Sequence, residues 1–239
     1  MCLNGPRRRG TLGGMSSLLW VTVLASTMLA GAQGTDDAMA LLRKAESIAD
    51  TTNNWRADVV ERFQTSGRGM NLQDEVHIKI AAQAPLKVRR ENSDGDQTVL
   101  VCDGAKGFYS GDGHSYYRIS PEVTPDCNLP LSRFYQLRKD PASVSIVGRD
   151  HVSLADGDRA CEVIRAEWKL ATVHIVRTMC IDPASGLILR DVAENEDEGT
   201  GMRLVVTTTF SSYESNPTLP PDAFKFSIPT GAVEAKPPN

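Results

Sequence analysis

The residues that could do chemistry in this chain are few and scattered. His77, His114, His151 and His174 lie far from one another and from any cysteine at metal-ligand spacing, so no metal site is expected. No G-x-S-x-G elbow, phosphate-binding glycine loop or H-E-x-x-H pair occurs. Asp103 and Asp112 could be imagined as paired acids, but both stand in glycine turns, where Asp serves the backbone. The sequence therefore offers no catalytic motif. A hydrolase, the remaining enzyme reading, would require a cleft with a perturbed carboxylate or histidine.

The cysteines carry a covalent expectation instead. The N-terminus has Arg7-Arg8-Arg9, then the apolar run Leu18–Ala30, then small residues at Ala30-Gly31-Ala32. That order is a secretory signal peptide, residues 1–32, removed with Cys2. Cleavage would leave 207 residues, a suitable length for one domain at 33–239. Three arginines leave with the signal, so the net charge falls from −4 to −7. A moderately acidic protein has no broad attraction for nucleic acid or anionic lipid heads. Cys102, Cys127, Cys161 and Cys180 remain, an even count that suggests two disulfides in an oxidising compartment.

The elements that must position these residues are mostly strands. Asp36–Asp50 is helical, with Met39, Leu41, Leu42, Ala45, Ile48 and Ala49 at helical spacing. From Trp55 the period changes to two. Ala57–Gln64 and Glu75–Ala81 are strands, the second with Val76, Ile78 and Ile80 on one side and His77 and Lys79 on the other. Pro85 ends it. Leu86–Glu91 and Gln97–Cys102 flank SDGD, a hairpin signal, and the Asp103-Gly104 turn leads to a third strand. Ser115–Ile119 is a further strand. Leu131–Lys139 is a short helix with Leu131, Phe134, Tyr135 and Leu137 on its apolar side. Val144–Gly148, Ala160–Trp168, Val173–Ile181, Leu187–Glu194, Gly201–Tyr213 and Lys225–Ser227 complete the strands, with Ala235–Asn239 frayed. A turn at Lys169–Thr172 sets a register in which paired numbers add to 341. It places Cys161 across from Cys180 and leaves Cys102 for Cys127. Ile164, Ala166, Trp168, Val173, Ile175 and Met179 then share the other, more apolar face.

The fold class is thus α+β, mostly β. One large curved antiparallel sheet of about ten or eleven strands, an unclosed half-barrel, is covered by an N-terminal and a short mid-chain helix.

The order of signal peptide, helix, strands, Pro85–Glu91, Cys102–Tyr109, helix, hairpins and Phe224–Ala232 resembles the LolA-like superfamily. That superfamily includes periplasmic lipoprotein carriers, the outer-membrane acceptor LolB and the sigma-E regulator RseB. The resemblance implies a hydrophobic cavity that receives acyl chains, no enzyme activity, no cofactor, a periplasmic location and a monomer. A lipid or lipoprotein acyl chain would be its ligand, and a membrane donor or acceptor protein its partner. In the carriers an arginine precedes the proline of the strand-end motif; here Ala84 precedes Pro85. This points to a paralogue binding a lipid or lipidated ligand rather than to a carrier in the strict sense. The alternative is an envelope-stress sensor acting through protein contacts, as RseB does. RseB-like proteins carry a second domain, for which no room is expected here.

Acyl chains require an apolar concave surface. The candidates are Val76, Ile78, Ile80, Leu86, Val88, Ile164, Trp168, Ile175 and Met179, with Phe134 and Tyr135 from the covering helix. Arg89-Arg90-Glu91 reads as the solvated side of a strand or as a contact for an anionic lipid head.

Overall fold

The computed structural model describes residues 24–92 and 98–236, and the side chains from 34 onward. The elements are α1 (Leu24–Thr51), β1 (Asn54–Gly67), β2 (Met70–Gln83), β3 (Lys87–Asn92), β4 (Val99–Asp103), β5 (Gly107–Ser110) and β6 (Ser115–Ile119). Then come α2 (Leu131–Tyr135), β7 (Ser143–Leu154), β8 (Gly157–Leu170), β9 (Val173–Ile181), β10 (Ile188–Asp197), β11 (Met202–Ser215) and β12 (Val233–Glu234). The SDGD turn and residues 1–23 of the expected signal peptide lie outside the described residues. The rest of that segment, 24–32, has helical backbone continuous with α1. No helix among the described residues is long and apolar enough to cross a membrane.

One sheet holds all twelve strands, in the order β12-β6-β5-β4-β3-β2-β1-β11-β10-β9-β8-β7. Every pairing is antiparallel except β12 with β6. A sheet this wide curls. The curl brings Ala155 N–H, beyond the end of β7, to the Ser211 carbonyl at 2.7 Å, where β11 carries a bulge opposite Asp58 and Val59. The sheet stays unclosed at its two edge strands, as expected.

Register defines the inner face. Val59 lies beside Ile78 on β2 and Phe210 on β11, and Ile164 on β8 lies beside Met179 on β9. All are buried in one cluster. The inner face of α1, Ala38, Leu42, Ala45 and Ala49 at four- and three-residue spacing, packs into the same cluster. α1 hands over to α2 directly: Leu131 N–H donates to the Thr52 carbonyl (3.2 Å), and Trp55 Nε1 donates to the Leu129 carbonyl (3.1 Å). A second cluster, Leu100, Cys102 and Cys127 with Tyr109 and Ile119, underlies the segment leading to α2.

Both expected disulfides form, with Cα–Cα separations of 5.6 Å for Cys102–Cys127 and 5.3 Å for Cys161–Cys180. The register of the second hairpin differs from expectation. Its loop is the two residues Ala171 and Thr172, so Val163, not Cys161, faces Cys180. A two-residue slip preserves faces. Cys161 and Cys180 therefore remain on one side and bridge diagonally, opposite the face of Ile164 and Met179. β7 runs to Leu154 rather than ending at Gly148; the polar Arg149, Asp150 and His151 hide a strand whose Val152 and Leu154 are buried. Lys225–Ser227 is not a strand. Its Phe226 stacks on Phe108 at 4.7 Å between ring centroids, and the terminal pairing falls to Val233 and Glu234 beside β6.

The tips of two hairpins touch. Gly67 has φ +123°, and a Cβ there would stand 2.4 Å from the Gly201 carbonyl oxygen. We expect Gly67→Ala to lower unfolding stability by about 2 kcal/mol or more in urea titration, because both backbone conformation and space oppose a side chain. Non-reducing peptide mapping should link Cys102 to Cys127 and Cys161 to Cys180, with the intact mass about 4 Da below the reduced one.

Candidate functional site

Two helices cannot cover twelve strands, and the inner face is left with a cavity of about 760 Å³ beneath α2. Its floor comes from adjacent strands at inner-face positions. Phe63 pairs with Val206, Val206 with Ala193, and Leu204 with Asn195. Ile175 continues the floor on β9, and Arg133, Phe134, Tyr135 and Gln136 of the α2 segment form the roof. A second, more open groove of about 820 Å³ runs outside, between Leu41 and Lys44 of α1 and Ile146–Arg149 of edge strand β7. The inner cavity is the better candidate, because it continues the apolar core.

Its walls are charged. Arg177 and Asp191, both buried, form a two-contact ion pair, with Arg177 Nε 3.1 Å from Asp191 Oδ1. Arg177 Nη1 also donates to the Gln136 carbonyl (3.3 Å), at the left-handed C-cap of α2. Tyr135 Oη donates to the Ile188 carbonyl (2.6 Å). Burial pushes the Tyr135 phenol well above its ordinary range, with Tyr213 and Asp191 adding to the rise, so it stays a neutral donor. α2 is only five residues long and is held down by these two polar contacts as well as by packing of Phe134 on Trp55 and Phe210.

Opposite, Glu61 lies 3.6 Å from Arg90. The Glu61 side chain is 15% exposed. Desolvation raises its pKa, and Arg90 lowers it by less. Arg133 and Arg138 line the mouth and make no ion pair among the described residues. The charge run divides as alternation requires: Arg89 pairs with Glu91 on the outer face, while Arg90 turns inward.

The structure places the sequence candidates in three environments. Phe134, Tyr135 and Ile175 line the cavity. Ile78, Ile80, Val88, Ile164, Trp168 and Met179 are buried in the packed core, with Val76 partly buried against it. Leu86 sits in the turn before β3, in a crevice with Leu129 and Pro130. The sequence reading missed Phe63, Val206, Leu204 and Arg177, and named Arg90 only within the charge run Arg89-Arg90-Glu91. Their signal was available: each occupies an inner-face parity position, and Arg177 interrupts the apolar series Ile175, Met179. No group of residues able to hold a metal occurs among the described residues.

No family model matches this sequence, and no curated protein matches it. Solved structures do. MucB is 17% identical, with 82% of this chain and 65% of that chain covered and a TM-score of 0.47. LprF from Mycobacterium bovis is 11% identical over 84% of this chain and 99% of that one, TM-score 0.45. A LolA superfamily protein from Nitrosomonas europaea is 12% identical over 79% and 97%, TM-score 0.35. The chain spans less than two thirds of the length of MucB. The architecture, an unclosed antiparallel sheet covered by an N-terminal and a short mid-chain helix, is the one that the resemblance in the sequence implies.

Two measurements check this site. Asp191→Asn leaves a buried guanidinium without its charge partner, and should cost about 3 kcal/mol of stability in urea titration, whereas Arg177→Leu/Asp191→Leu should recover most of it. A carboxyl with a raised folded pKa destabilises the fold above that pKa and not below its unfolded value. Glu61→Gln should therefore raise the melting temperature at pH 7, and the gain should fade as pH falls through the carboxylate range.

Proposed function

We propose that this is a periplasmic binding protein that holds an acyl chain of a lipid or a lipidated protein in the cavity beneath α2. The observation that carries the reading is the composition of that cavity. Apolar Phe63, Ile175, Leu204 and Val206 share the floor with Asn195 and Thr208 under a short helix, with Arg133 and Arg138 at the mouth. Its volume of about 760 Å³ falls within the roughly 300–1,000 Å³ usual for small-ligand sites. Each CH₂ buried there contributes roughly 0.8 kcal/mol, so about ten contribute roughly 8 kcal/mol before ordering costs. The arginines face the polar end of such an amphiphile. The deeper candidates, Ile78, Ile80, Ile164 and Met179, are already packed, and a chain longer than the cavity reaches them only with α2 displaced.

Native mass spectrometry of the protein purified from a bacterial periplasm, followed by organic extraction, tests this. A bound phospholipid or lipopeptide is expected, and Val206→Trp, which fills the floor, should abolish the bound mass without unfolding the protein. A clean unliganded mass that does not shift on adding phospholipid or acyl peptide overturns the reading in favour of a protein-contact sensor.

A further inference from the structure

The inner face does not end with the cavity. Beyond it, β1, β2, β10 and β11 extend as two long hairpins whose tips meet at Gly67 and Gly201. On these tips the inner-face positions Met70, Leu72, Met202 and Leu204 are apolar and lose their cover, with Asp74, Asn195 and Asp197 at the same parity. Leu72 is 59% exposed, Met70 42% and Leu204 37%. Register makes them one surface: Leu72 and Leu204 both pair with Thr65, from opposite sides. The two leucines are therefore about 10 Å apart, two strand spacings. Leu204 and its neighbours Val206 and Phe63 also line the cavity, so the exposed strip continues the cavity floor. Met202 lies at the same parity, one pair nearer the tip.

Large apolar side chains grouped on the surface mark an interaction site. The charge around this group selects the occupant. By the same register Glu75, Glu194 and Glu196, with Arg62 and Arg203, belong to the opposite face, and the apron side and its turns carry Asp74, Asp197 and Glu198 against Arg68. Arg62 is held by Glu75 and Arg203 by Glu194. Asp197 is committed to its own turn, accepting from the Gly199 and Thr200 N–H groups. Asp74 and Glu198 have no ion pair among the described residues. An anionic membrane is repelled by such a rim.

We propose that the apron of Met70, Leu72 and Leu204 docks a cationic amphipathic segment of a second protein, its apolar side on the leucines and its basic side toward the β10–β11 turn. The apron stands whether or not the cavity holds lipid.

The test is fluorescence anisotropy with a labelled 18-residue Leu/Lys amphipathic peptide and its Leu/Glu counterpart, using the processed full chain. The Leu/Lys peptide should bind at least about tenfold more tightly, and less so at high salt. Met70→Ser/Leu72→Ser and Asp74→Asn/Glu198→Gln, none of which lines the cavity, should each weaken it about tenfold. Both variants should keep the wild-type melting temperature and affinity for a fluorescent fatty acid, which reports on the cavity alone. Equal affinity for the two peptides, or affinity untouched by both double substitutions, overturns the proposal. So does Leu72-dependent association with phosphatidylcholine/phosphatidylglycerol vesicles without peptide binding, which would assign the apron to a membrane surface. Leu72-dependent dimerisation in sedimentation without peptide binding would assign it to a second copy and overturn it equally.

Discussion

The whole structure depends on a mismatch of coverage. A sheet of twelve strands presents one continuous inner face, and α1 and α2 are the only α-helices among the described residues to lie against it. Curling reduces the exposed width, and the contact of Ala155 with Ser211 fixes the curl at one end. There, Leu42, Val59, Ile78, Ile164, Met179 and Phe210 fill the trough completely. Farther along the same strands nothing is available to fill it. The same inner face that forms the core therefore runs on into the cavity, and then the apron.

What keeps the cavity from collapsing is polar. α2 is too short to be a stable helix by itself. It is positioned by Thr52 at its start, by Tyr135 on Ile188 and by Arg177 under its C-cap. A leucine at 177 would let the roof settle onto Ile175 and close the space. A guanidinium held by Asp191 cannot be compressed without losing hydrogen bonds that a buried charge requires. The Cys102–Cys127 bridge serves the same end from the other side. It pins the irregular segment before α2 to β4, in a second cluster that has little apolar area of its own. Closing a loop of 25 residues contributes about 3 kcal/mol through the unfolded chain.

Much of this architecture was legible in the sequence, for a reason that particular residues make clear. Ile78 and Ile80 alternate with His77 and Lys79, and period two survives any tertiary context. The cysteine pairing was found through a register that was wrong by two, because a slip of two keeps every side chain on its face. The cavity was less legible. Strand period says that Phe63 and Ile78 face inward but not which of them a helix will cover, since that depends on where α2 comes to lie. Residues 149–151 concealed half of β7 for a different reason: an edge strand needs polar side chains, so it resembles a loop.

The gradient along the inner face bears on what the molecule can do. At the closed end, burial is complete and substitutions cost stability. At the cavity, apolar positions are mixed with Glu61, Arg90, Arg177 and Asp191, and the desolvation of the Glu61 carboxyl is a cost that Arg90 only partly offsets. Local rules broken at a site, while kept elsewhere in the same strands, are the usual mark of selection for something other than stability. β1 shows the change within a single strand: Trp55, Ala57 and Val59 are core, Glu61 and Phe63 line the cavity, and Thr65 lies between Leu72 and Leu204 on the apron. Along one strand the inner face thus passes from dry packing, through buried charge, to exposed apolar side chains.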